Sequence, residues 1–329
     1  MPSNQVRPRP EFYEIFASEE IEEIIYSLEA KKEIPYKFCF KDQGAITWDK
    51  SYLDQTKNEN LPIQEVVDLL RLNFEYIHEL IRAKKTINII DIGQGNSYSV
   101  QHFITQLSKV ANIKSYTAVD ISRDMIYISE RNIREWFPLI QFQGYNCDIE
   151  SSEFINVLEP AIENNEQSVN LFLYLGAMIS INENRSKILG NFKKIMNLGD
   201  LLILSNFLEF SDNFTHILSS AKFKRYSWIA ELIGIGASNC KINAGLTDDR
   251  NIKFSKIEMN RDYIIEFNFD GETRIVKLSQ GEEVTLWKCI RTTIPQLLKD
   301  IDVSKLKLRQ LSTDKIKPHV LVICESLPN

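Results

Sequence analysis

The chain has 329 residues, 43% hydrophobic and 10% aromatic, enough for one large domain or for a core domain with an elaboration. Its formal charge of −6 is spread over interspersed acids and bases, so no broad cationic face meets a phosphate backbone and a nucleic-acid partner is not expected. Scattered cysteines without a CxxC pair and isolated histidines imply neither a disulfide framework nor a metal site. With no signal-peptide core and no membrane-length apolar run, a soluble cytoplasmic protein is expected; the oligomeric state is not read from the sequence, a monomer being favoured.

The first ten or so residues, rich in proline, read as a loose arm. Ser18–Ala30, SEEIEEIIYSLEA, opens on a capping residue and early acids and carries isoleucines at helical spacing, which predicts a helix with its glutamates on the solvated face. Residues 35–56 are aromatic and turn-rich, and a long amphipathic helix is predicted from about Pro62 to Ala83.

From Ile87 the texture alternates. Strands are predicted at 87–93, 115–122, 139–149, 169–176 and 200–210, with amphipathic helices at 97–110, 123–137 and 183–196 between them. Continuous apolar strands separated by helices mean a parallel sheet covered on both faces, a doubly wound α/β core. The pattern breaks after Ser205. Residues from about 213 to 243 read as helix and loop, Tyr263–Ser279 as a hairpin turning at Asp270-Gly271, and 305–313 and 317–326 as two strands returning to the sheet.

In such a sheet the ligand sits at the carboxyl ends of the strands. The first strand runs into Gly93 and Gly95, IIDIGQGNSYSV, and the second ends at Asp120, about 25 residues on, near the spacing at which an acid meets ribose hydroxyls. This much fits NAD or S-adenosylmethionine. Two features favour the second. Tyr98 stands where a dinucleotide fingerprint has its third glycine, and the third strand leads to Asp148 and Ile149, an acid for an adenine amine beside an apolar side chain for its ring. Acids on adjacent strand ends, with no lysine for phosphates, suit a cofactor carrying ribose and adenine without phosphate.

The blocks IIDIGQGNSYSV, YTAVDIS, GYNCDIE, LFLYLGAMISIN, GDLLILSNFLE and LSQGEEVTLWKCIR, with the upstream PYKFCFKDQGAITWDKSYLDQTKNE, resemble the histidine-specific Nα-methyltransferase family. That family includes the first enzyme of ergothioneine biosynthesis and the ergot-alkaloid N-methyltransferases. The resemblance implies a class I S-adenosylmethionine methyltransferase core at 60–206 and an inserted α+β substrate domain at 207–300 completed by residues 1–59. The final core strands would lie at 301–329. By position, Gly93, Gly95, Asp120, Asp148 and Ile149 would hold the cofactor, with Ser97, Ile121 and Tyr174 beside them. Gly176 would line the junction of cofactor and substrate, and Tyr52 could hydrogen-bond the amine.

The departures bear on the substrate. Ile181 stands where the histidine enzymes carry an asparagine for the substrate carboxylate, and Trp287 and Cys289 align with their glutamate and serine against the imidazole. Buried polar groups discriminate strongly, because leaving them unpaired is costly. Their loss implies N-methylation of a small amine, such as an aromatic amino acid derivative or an indole-type alkaloid intermediate, rather than histidine. Methylation at oxygen, carbon or a ring nitrogen, and cofactor binding without turnover, are the alternatives.

Overall fold

The computed structural model describes residues 5–56, 62–176, 178–182, 184–208, 220–236, 240–249, 251–313 and 319–326. The ends of two expected strands, at 209–210 and 317–318, and the beginning of the 213–243 segment lie outside them. In chain order the elements begin with β1 (Gln5–Val6), α1 (Pro10–Ile15), α2 (Ser18–Ala30), a 3-10 turn at Tyr36–Phe40, and α3 (Gln43–Thr56). Then follow α4 (Pro62–Leu72), α5 (Phe74–Ile81), β2 (Thr86–Ile92), α6 (Tyr98–Leu107), β3 (Ile113–Asp120), α7 (Arg123–Trp136) and β4 (Gln141–Asn146). Next come α8 (Phe154–Leu158), β5 (Ser168–Tyr174), α9 (Met178–Ile181), α10 (Arg185–Ile195), β6 (Leu201–Phe207) and α11 (Ser220–Leu232). The chain closes with β7 (Cys240–Leu246), β8 (Ile252–Met259), β9 (Tyr263–Phe269), β10 (Glu272–Leu278), β11 (Glu283–Ile290), α12 (Ile294–Val303), β12 (Leu306–Thr313) and β13 (His319–Ser326).

These elements form two compact units, one of residues Met1–Ser51 and Ser211–Cys289, the other of Tyr52–Phe210 and Ile290–Asn329. The second unit holds a seven-stranded sheet in the order β12-β13-β6-β5-β2-β3-β4. Only β13 runs against its neighbours, pairing antiparallel with both β6 and β12. Side-chain alternation sorts each inner strand between two apolar layers. Ile87, Ile89, Leu171 and Leu173 join a cluster with residues of α4, α5 and α6, whereas Ile90, Ile92, Phe172 and Tyr174 join one with residues of α8, α10 and α12. Burial on both faces is why these strands read as unbroken apolar runs. The chain leaves β2 toward β3 and β4, then crosses back to β5 and β6, so strand order reverses between β2 and β5. A ligand crevice belongs there, at the carboxyl ends.

The first unit carries two three-stranded sheets, β1-β9-β10 and β11-β8-β7. The expected arm is docked: Gln5 and Val6 pair in parallel with Ile264 and Ile265, and Pro10 starts α1 where a missing N–H costs nothing. Phe12 and Phe16 are the cause, both buried, with ring centres 5.8 Å from Phe267 and 5.7 Å from Phe38. Burying each stabilises by roughly 2–3 kcal/mol, enough to offset the ordering of a few backbone residues. The hairpin turns as expected, with Asp270 (φ 50°) and Gly271 (φ 78°) both left-handed, the form that suits a two-residue connection.

Three local expectations need correction. The helix predicted from Pro62 to Ala83 is interrupted at Asn73 (φ −97°, ψ 3°), whose buried side-chain amide joins its own N–H on the Leu69 carbonyl, at 2.8 and 3.1 Å. The turn-rich stretch contains α3, fourteen residues long, whose aromatic side chains masked its period. Residues 240–243, read within the helix-and-loop segment, open strand β7, which pairs antiparallel with β8. Among the described residues no helix is long and apolar enough to cross a membrane.

Candidate active site

The loop after β2 turns through three left-handed residues, Gly93 (φ 65°), Gly95 (φ 56°) and Ser97 (φ 63°). Conformation calls for glycine at Gly93; a Cβ there would lie 2.5 Å from Cε of Met178, the movable end of a flexible side chain at the start of α9. Ser97 does carry a Cβ, and a hydrogen-bond chain holds it in place. Its hydroxyl lies 2.9 Å from the Tyr116 hydroxyl and 2.6 Å from that of Ser129, and Tyr116 donates to Asp91 Oδ2 at 2.7 Å. Asn132 adds a bond to the Asn96 carbonyl at 2.9 Å. Ser97 therefore spends its side chain on the scaffold under the loop, where it is fully buried.

Asp120 ends β3. Its carboxylate accepts from the Ser122 N–H at 2.9 Å, while Ser122 caps α7 by accepting from Met125 N–H. Asn146, the last residue of β4, donates to the carbonyls of Asp120 and Ile121 at 3.0 and 2.7 Å, which fixes the backbone of this corner. Burial raises the Asp120 carboxyl to about 7 against the pull of the backbone N–H groups of Ser122 and Ile121. Asp91 is likewise pushed to about 7 by burial, with the Tyr116 bond opposing and the charge of Asp120 adding to the rise.

Beyond β4, Asp148 accepts from the Glu150 N–H at 2.9 Å, and Ile149 is buried with its carbonyl held by Asn191. At the end of β5, Tyr174 is fully buried; its hydroxyl donates to the Met178 carbonyl and accepts from Asn182, so it ties α9 to the strand. Gly176 is left-handed (φ 82°), donates its N–H to Ser205 Oγ at 2.8 Å, and has open space where a Cβ would be. Ile181, at the last turn of α9, is half-buried.

Tyr52 is buried 6.1 Å from the Tyr98 ring, and burial together with Tyr98 holds its phenol well above the ordinary range. In the other unit, half-buried Trp287 on β11 stacks on Tyr226 at 5.6 Å and 17°, and Tyr36 meets it edge-on at 6.4 Å. Cys289, two residues on, is buried.

Against known proteins, the family described as histidine-specific methyltransferase, SAM-dependent, matches residues 20–209, more than half of the chain. The chain belongs to this family. It is thus an S-adenosylmethionine-dependent methyltransferase that acts on a small molecule, and its α/β unit is the class I methyltransferase fold. No curated protein matches it in sequence. Solved structures similar to it include an S-adenosylmethionine-dependent methyltransferase from Clostridium acetobutylicum (12% identity, 84% of this chain and 97% of that one, TM-score 0.45). CalS10 from Micromonospora echinaspora, an amino pentose methyltransferase, has 9% identity over 85% of this chain and 96% of that one, TM-score 0.41. The sugar N-methyltransferase KedS8 from Streptoalloteichus has 10% identity over 85% and 93%, TM-score 0.40.

The residues at the strand ends of this methyltransferase suit its cofactor. A carboxylate has about four acceptor positions, so Asp120, with two of them on backbone N–H groups, keeps capacity for a pair of ribose hydroxyls. Helix α6 begins at Tyr98, whose ring packs 4.7 Å from Trp136, so no third glycine brings this helix close for a pyrophosphate. Sequence reading missed what steadies the rim: Tyr116, Ser129 and Asn146. Polar residues inside otherwise apolar strands, as in SYTAVD, were the available signal.

Proposed function

We propose that this methyltransferase transfers a methyl group to the nitrogen of a small amine, an aromatic amino acid derivative or an indole-type alkaloid intermediate, and that the unit containing Trp287 binds that acceptor. We also propose that Gly93, Gly95, Asp120, Ile121, Asp148 and Ile149 hold S-adenosylmethionine, with Ser97 and Tyr174 supporting the backbone that does so. The observation that carries the substrate class is the Trp287–Tyr226–Tyr36 cluster. Within it, Trp287 stands where the sequence resemblance sets a glutamate in histidine-specific relatives. Ile181, in place of an asparagine for the substrate carboxylate, agrees with it.

When bound, the cofactor supplies an electrophilic methyl on a sulfonium, which leaves the protein to align the acceptor and exclude water. An amine attacks only when neutral, and desolvation by apolar walls lowers its pKa. Tyr52, held protonated by burial, suits a hydrogen bond that orients the amine and not proton abstraction. Gly176, with no Cβ to crowd the space beside it, would let cofactor and acceptor approach.

The test is a mass-spectrometric assay of the purified chain with S-adenosylmethionine and a panel of histidine, tryptophan, tyrosine and modified indole amines. The expected result is S-adenosylhomocysteine together with one or more methyl increments on an indole amine nitrogen and none on histidine. Activity on histidine alone, or fragmentation that places the methyl on oxygen, carbon or a ring nitrogen, overturns the proposal.

A further inference from the structure

Gln94 lies between the two left-handed glycines of the β2 loop and is only 6% exposed. Both ends of its carboxamide, Nε2 and Oε1, are buried without a hydrogen-bond partner. Its surroundings are otherwise satisfied: Ser97, Tyr116, Ser129 and Asp91 bond one another, Asn132 holds the Asn96 carbonyl, and the Gln94 carbonyl accepts from the Ser97 N–H at 3.0 Å. A buried amide with neither donor nor acceptor paired costs free energy that an apolar side chain of similar size would not. A donor and an acceptor held a fixed distance apart at the strand-order reversal match a ligand presenting an acceptor and a donor together.

We propose that the Gln94 carboxamide is a positioning group for the amino-acid end of the cofactor, Nε2 donating to the carboxylate and Oε1 accepting from the ammonium. This rests on the proposed placement of ribose at Asp120 and adenine by Asp148 and Ile149. Strand order then decides which part of the cofactor Gln94 meets. β4 leads to the adenine side, β3 ends at the ribose acid, and β2 comes next, toward β5, so its loop faces what extends beyond the ribose. The two unpartnered atoms fit a zwitterion, and the amino-acid portion is the part of S-adenosylmethionine that carries both charges.

The experiment compares the wild type with Gln94→Leu, by calorimetric titration with S-adenosylhomocysteine and with 5′-methylthioadenosine, which has the adenosine but no amino-acid portion. Loss of hydrogen bonds to charged groups is expected to weaken S-adenosylhomocysteine about ten- to a hundredfold. Binding of 5′-methylthioadenosine is expected to stay within about twofold, and melting of the ligand-free variant to move upward, because an unpaired buried amide has been removed. Equal weakening of both ligands, or no weakening of either, overturns the role of Gln94. Asp120→Ala is the control for the underlying placement: it should weaken both ligands, and if it weakens neither, the ribose assignment fails whatever Gln94→Leu does.

Discussion

The rim of the seven-stranded sheet and the aromatic cluster of the other unit are made in opposite ways. At the rim, polar groups from successive strand ends, Asp91, Asp120 and Asn146, are set by strands that follow one another in the chain. The aromatic cluster draws Tyr36, Tyr226 and Trp287 from three segments spread over some 250 residues, and ring contacts dominate it. If the proposed assignments hold, a cofactor site coded within consecutive βαβ units constrains which cofactor fits, whereas an acceptor site assembled from distant segments leaves each wall separately replaceable.

The sharpest way to break this contrast is Asp120→Ala. Two lost bonds to ribose hydroxyls should weaken S-adenosylmethionine about a hundredfold by calorimetry. Normal affinity would mean that the strand ends do not define the cofactor site. On the other side, Trp287→Ala should lower stability by about 2 kcal/mol, less than the 3–5 kcal/mol of a fully buried tryptophan because Trp287 is half-buried. It should alter acceptor preference while leaving cofactor affinity within about twofold. Chemical denaturation and titration read the two effects separately, and a large loss of cofactor affinity in this variant would erase the distinction.

A smaller effect sharpens the comparison through pH. Asp120 titrates at about 7 in the unliganded fold, and its charged form accepts hydroxyl donors best. Affinity for S-adenosylhomocysteine should therefore rise about tenfold from pH 6 to pH 8 and then level off, and Asp120→Asn should flatten the curve. Fold stability runs the other way. Asp91 and Asp120 bind protons more tightly folded than unfolded, so their contribution is fully present below 3.8 and falls as pH rises toward about 7. A cofactor affinity that is constant across this range would show that Asp120 is already ionised without ligand.

What was legible in the sequence follows from the same contrast. Gly93, Gly95 and Asp120 could be read because their spacing along one βαβ unit is itself the geometry. The Ser97–Tyr116–Ser129 chain could not, since hydroxyls on a loop, a strand and a helix carry no mutual spacing rule. The N-terminal arm looked loose because β1 is two residues long and its partner β9 lies some 260 residues away. The break at Asn73 was hidden by an apolar period that continues on both sides of it. Gln94 was visible as a letter between two glycines, but that both ends of its side chain lack partners is a property of the folded chain alone.

The strand β13 carries one further consequence, for synthesis. It is the last strand among the described residues, yet it lies inside the sheet, between β6 and β12, and the larger part of the β-rich unit, Ser211–Cys289, is translated between β6 and this strand's arrival. Until then β6 presents an open, apolar edge, the kind of surface that invites wrong pairing. The methyltransferase core of this chain therefore closes only after the rest of the β-rich unit has been made, and a chain cut before His319 leaves the sheet without an interior strand.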